Sequence, residues 1–141
     1  MSLFLLFKYM QNPNVKIDSK ISTQNGIVSL RTDGILTFKP HKGVEIISTE
    51  SMKEDLDAFI KLTDNKKMPF LSDNRTLNDF TSDQKSYMQE KIPVFCSKFA
   101  ILIDGGISVF FFNMFQLFYK PDVIVKAFKN KESAINWLKE K

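Results

Sequence analysis

The side chains with chemical potential are few and scattered. His41 is the only histidine and Cys96 the only cysteine in 141 residues. A catalytic thiol wants a base beside it, and His41 lies 55 positions away in Pro40-His41-Lys42-Gly43, which reads as a surface turn. Cys96, between Phe95 and the Phe99 run, reads as a small buried hydrophobe. One histidine in a turn supports no serine–histidine relay, and no Cys/His set exists for zinc, so no metal and no cofactor is expected. Two carboxylates remain of interest. Asp73 follows Met68-Pro69-Phe70-Leu71-Ser72, and Asp104 follows Phe99-Ala100-Ile101-Leu102-Ile103. Both fall at the carboxyl end of an expected strand, where open α/β sheets place ligands. Facing each other, they would suit a hard cation or acid–base work.

Around these acids lies a candidate ligand or partner crest of Ser72, Asp73, Arg75, Thr76, Asp104, Gly105 and Gly106. In the alternative reading it is an ordered loop, with Asp73 accepting backbone N–H groups and Arg75 paired to a nearby carboxylate. Gly105-Gly106 before a helix is able to cradle an anion. It lacks both the glycine spacing of a dinucleotide site and the Gly-Lys-Ser/Thr of a phosphate loop, and Asp104 repels phosphate.

The elements that must position this crest are legible in outline. Ile27–Arg31 and Ile35–Lys39 flank Thr32-Asp33-Gly34, a hairpin signal, and Thr37 and Lys39 alternate with Leu36 and Phe38 to give a more polar face. Val44–Ile47 suits a third strand or the lead-in to a helix. Ser51-Met52-Lys53-Glu54 matches a capping box before an amphipathic helix, with Met52, Leu56, Phe59, Ile60 and Thr63 on one side. Thr81-Ser82-Asp83-Gln84 is a second box, opening a helix that runs to about Lys91, and Pro93 closes that segment or begins a new one. A third helix covers about 109–119, Val123–Phe128 is the last strand, and Asn130 caps a final helix. Strands near 70, 101 and 125 alternating with helices predict parallel neighbours. Residues 11–24 read as extended or irregular, so residues 1–25 form an arm and 26–141 the domain.

The Asp33-Gly34 hairpin, Pro69–Asp73, Ala100–Ile103, Asn113-Met114-Phe115, Lys120-Pro121, Phe128, Ala134 and Trp137-Leu138 carry a resemblance. Over about 26–139 the chain resembles the STAS or SpoIIAA-like α/β fold, and looks closest to small uncharacterised STAS-like proteins of Bacteroidota. That resemblance implies a mixed sheet with an N-terminal antiparallel hairpin followed by helix–strand repeats, and helices mainly on one side. It also implies a non-enzymatic regulatory or protein-interaction module. The anti-sigma antagonists of this fold carry a phosphorylatable serine after a central strand. The comparable Ser72–Thr76 stretch lacks their Asp-Ser-Ser-Gly motif, which argues against a kinase-driven switch. The alternative function is a small-molecule binder, or an enzyme, working from the crest.

Partners follow from charge and aromatic content. Twenty Lys+Arg against 16 Asp+Glu give +4. The charges are even along the chain, with no basic block of the kind nucleic acid selects. Leu3–Phe7 is too short for a membrane span, and an unpaired cysteine suits a reducing cytoplasm. The 109–119 helix is apolar most of the way round, which predicts a protein contact through Phe110, Asn113, Met114 and Leu117. A second copy of the chain is the first candidate partner.

Overall fold

The computed structural model describes residues 19–78, 80–104 and 122–140. Its first feature is the expected hairpin. Strand β2 (Gly26–Leu30) runs antiparallel to β3 (Leu36–Pro40). The turn closes by Gly34 N–H donating to Arg31 O at 3.0 Å, with Gly34 at φ 82°, a conformation cheap only for glycine. Arg31 donates through Nε and Nη2 to the two carboxylate oxygens of Asp33, at 3.0 and 2.8 Å. Upstream, β1 (Ser19–Ser22) pairs antiparallel with β2, so part of the stretch assigned to the arm belongs to the sheet.

Three further strands extend the sheet in parallel. β4 (Met68–Asp73) lies beside β3, β5 (Cys96–Leu102) beside β4, and β6 (Ile124–Phe128) beside β5. The spatial order is β1-β2-β3-β4-β5-β6, identical to the order along the chain. The fold is thus a mixed α/β sheet with an antiparallel start, as the sequence predicts.

Helix α1 (Thr49–Thr63) begins one turn earlier than the Ser51 box implies. Ser48 is the cap, accepting from Ser51 N–H at 3.1 Å, and the Ser51 hydroxyl donates back to Ser48 O. Ser51 and Met52 are buried, so the helix must already be formed at those positions to pack them. Val44–Ile47 is its lead-in and no strand. Helix α2 (Ser82–Phe95) starts at the Thr81–Gln84 capping box, with both reciprocal bonds made. It continues beyond the expected end near Lys91, with Pro93 inside it. Burial of Ile92 and Phe95 holds a last turn past the proline, which forfeits one backbone bond. Helix α3 (Lys131–Lys139) is capped by Asn130, whose Oδ1 accepts from Ser133 N–H at 3.0 Å.

Alternation along the strands divides the core in two. Val28, Phe38, Phe70, Phe99, Ile101 and Val125 meet α1 and α2 on one face, where Phe59 sits within 5.9 Å of the Phe38, Phe70 and Phe95 ring centroids. On the other face Leu71, Ala100 and Leu102 meet Ala134, Ile135 and Leu138 of α3. This helix packs on β4, β5 and β6, so the hairpin half of that face has no helix of the described residues over it. Lys98 ties α3 down, its Nζ donating to Trp137 O at 2.5 Å and Glu140 O at 3.0 Å, while Lys139 reaches Asp33 at 3.4 Å.

Candidate functional site

The crest residues from Ser72 to Arg75 bond to one another. Asp73 leaves the end of β4 and receives Arg75 Nε at 2.8 Å, Nη2 at 2.7 Å and the Arg75 backbone N–H at 3.2 Å. Burial pushes the Asp73 carboxyl up, but the Arg75 bonds and charge outweigh it and hold the group below the usual range. Asp73 in turn raises Arg75, with a smaller contribution from Asp104. Ser72 points to the opposite face, buried, and donates to Asn74 Oδ1 at 2.6 Å. Its hydroxyl is therefore closed to a kinase. Thr76 is exposed in the turn that follows, and Asp104 is exposed past β5. Gly105, Gly106, Phe110, Asn113, Met114 and Leu117 lie outside the described residues. Open sheets bind ligands where strand order reverses, and the described order has no reversal.

The remaining chemical candidates are structural. Cys96 is buried, which pushes its thiol up to about 12. His41 Nε2 lies 2.9 Å from Thr23 O and serves the β1–β2 turn. Among the described residues no group of three His, Cys, Asp or Glu side chains is placed to hold a metal. A cluster the sequence did not flag sits behind this turn. Asp55 of α1 is buried, with Oδ1 2.5 Å from Thr23 Oγ1, and Oδ2 accepts from Asn25 Nδ2 at 2.8 Å. Burial raises the Asp55 carboxyl, against the Thr23 and Asn25 bonds. Thr23 Oγ1 also lies 3.2 Å from Gly26 O, and its single proton serves only one acceptor at a time.

The feature able to receive something large is the hairpin face that no described helix covers. Register places Lys20, Ser29, Thr37 and Leu71 in one row across four strands, with Ile27 and Lys39 in the next. These side chains line a groove of about 580 Å³, within the range of ligand sites, between the hairpin and the start of α3. Its rim adds Lys42, Lys131 and the Asp73–Arg75 pair, so two crest residues belong to it. Five cations thus face one carboxylate, which is already bound to Arg75. None of Lys20, Lys39, Lys42 and Lys131 forms an ion pair with another described residue. Ile27 is 40% exposed on its floor. The alternation of Thr37 and Lys39 announced a polar face, but nothing in linear sequence showed that these lysines line one groove. On the buried face, between sheet, α1 and α2, a void of about 50 Å³ is lined mainly by apolar side chains, among them Phe59, Phe70 and Met88.

A sheet in sequential order, antiparallel at its start and parallel thereafter, with α1 and α2 on one face and α3 on the other, defines a SpoIIAA-like α/β protein. The solved structure of an uncharacterised protein from the DUF3478 family with a SpoIIAA-like fold, from Shewanella loihica PV-4, superposes with a TM-score of 0.54 at 15% identity, covering 89% of this chain and 96% of that one. The chain belongs to the family described as domain of unknown function DUF7793, whose model matches residues 28–141. No curated protein matches the sequence. No helix of the described residues is long and apolar enough to cross a membrane.

Proposed function

We propose that this chain is a non-enzymatic regulatory or interaction module working in the cytoplasm, akin to the small STAS-like proteins of Bacteroidota. The observation that supports this reading is the sheet face that the described helices leave open, where lysines with no ion pair to another described residue surround a partly exposed isoleucine while Asp73 and Arg75 are spent on each other. An enzyme would need a free nucleophile, acid or base in a cleft. Among the described candidates Cys96 and Ser72 are buried, Asp73 and His41 are engaged, and the exposed Thr76 and Asp104 do not line the groove. The Phe110, Asn113, Met114 and Leu117 segment is a second contact on this reading, taking another copy of the chain.

The test is retrieval of partners from native lysate by the intact chain and by Lys39→Glu, with bound species identified by mass. A protein retained by the wild type and lost by the variant is the expected result. A co-purifying small molecule, with no protein distinguishing the two baits, would overturn the proposal in favour of a small-molecule binder.

A further inference from the structure

Resting on the reading of the hairpin face as an interaction surface, we infer that its occupant is an acidic, extended peptide segment of a partner protein. Carboxylates of that segment lie on Lys20, Lys39 and Lys131, and an apolar side chain between them lies on the exposed Ile27.

Charge selects the sign of the occupant. The groove's lysines face no described carboxylate except Asp73, which holds Arg75 by two short bonds. A like-charged occupant would be repelled, and an anionic one attracted and steered. The chain's two long undescribed segments bring no net negative charge. Residues 1–18 carry Lys8 and Lys16 against Asp18, and residues 105–121 carry Lys120 and no acid, which leaves Asp79 and Lys141 as the other undescribed charges. A second copy brings a net +4.

Shape and chemistry select a peptide among anions. The row from Lys20 on β1 to Leu71 on β4 crosses three strand spacings, about 14 Å at roughly 4.8 Å each. An extended segment of about four residues spans that distance. The lysines stand apart along this length, with the hydroxyl side chains Ser29 and Thr37 and the apolar Ile27 among them, so they do not converge on one point as a phosphate cradle would. The nearest helix start, that of α3, is already capped by Asn130. Single-stranded nucleic acid wants aromatic faces for stacking. Of the described lining rings, Phe38 is 5% exposed and turned into the opposite core, and the His41 imidazole is tied to Thr23 O.

The experiment is fluorescence anisotropy with the full chain and a dye-labelled peptide of alternating glutamate and leucine. The matched probes are its lysine–leucine counterpart, a polyphosphate and a single-stranded oligonucleotide. The glutamate peptide should bind at low salt and weaken as salt rises. Lys39→Glu and Lys20→Glu should each weaken it about five- to ten-fold, whereas Lys61→Glu on α1 should not. Both groove lysines are exposed, and an unchanged thermal transition verifies that the variants fold. An undiminished affinity in both folded variants overturns the proposal. So does preference for polyphosphate or the oligonucleotide, or displacement of the probe by a synthetic copy of residues 1–18. A lysate partner lost on Lys39→Glu, together with absent peptide binding, would retain the interaction module and refute the acidic peptide alone.

Discussion

Asp55 and Asp73 are two carboxylates of one small domain whose environments push them in opposite directions. Arg75 lowers Asp73, and Arg31 likewise lowers Asp33 against the burial that opposes it, so both contribute stability that is present above the ordinary value of 3.8 and lost as pH falls through their folded values. Asp55 is raised, chiefly by burial. Between 3.8 and its folded value the native chain holds a proton that the unfolded chain has released. Its contribution therefore shrinks as pH rises through that window. Asp55→Asn mimics the protonated acid, with an amide to donate to Thr23 and an oxygen to accept from Asn25. Urea titrations of the variant should show no stability loss across that window and no less stability than the wild type at pH 7. A large loss at pH 7 would mean that the charged carboxylate is the stabilising form.

At the scale of elements, two glycines of the hairpin answer to different physics. Gly34 faces open space, but its φ of 82° is strained for any other residue, so Gly34→Ala should cost about 1 kcal/mol. A Cβ on Gly26 would stand 2.3 Å from Lys39 O and 2.8 Å from Pro40 Cα, both backbone of β3. Gly26→Ala should therefore part the β2–β3 ladder and cost at least about 2 kcal/mol. Equal midpoints for the two variants in urea would contradict this. The same hairpin illustrates how much was legible in the sequence. Asp33-Gly34, the Thr81 box and the Asn130 cap rest on chemistry within four residues, and each was readable. The start of α1 was not, because Ser48 and Ser51 are cap candidates one turn apart and burial of Ser51 decides between them. Strand β1 escaped notice because Ile21 is the lone apolar residue among its four, as an edge strand permits. Asp73 and Arg75 were readable as a crest whose own pairing uses them up. The basic groove was hidden because its lysines come from β1, β3 and α3, more than a hundred positions apart in all.

For the whole molecule, association is the property most open to measurement. Sedimentation equilibrium at about 100 μM should show the wild type as a dimer, and Phe110→Asp or Leu117→Asp should dissociate it, since an apolar contact does not tolerate a buried unpaired charge. A wild-type monomer would remove the self-pairing idea, and unfolded variants would assign that face to the core. The strand order noted above bears on how such a molecule comes into being. Leu36 meets Phe70, Phe70 meets Phe99, and Phe99 meets Val125, so each new strand finds its neighbour in the one made just before it. No strand has to be inserted between two already paired, and pairings of short sequence separation favour fast folding. A chain emerging from the ribosome can lay down this sheet from one edge to the other, with three of the groove's four lysines, Lys20, Lys39 and Lys42, already in place before the last helix is made.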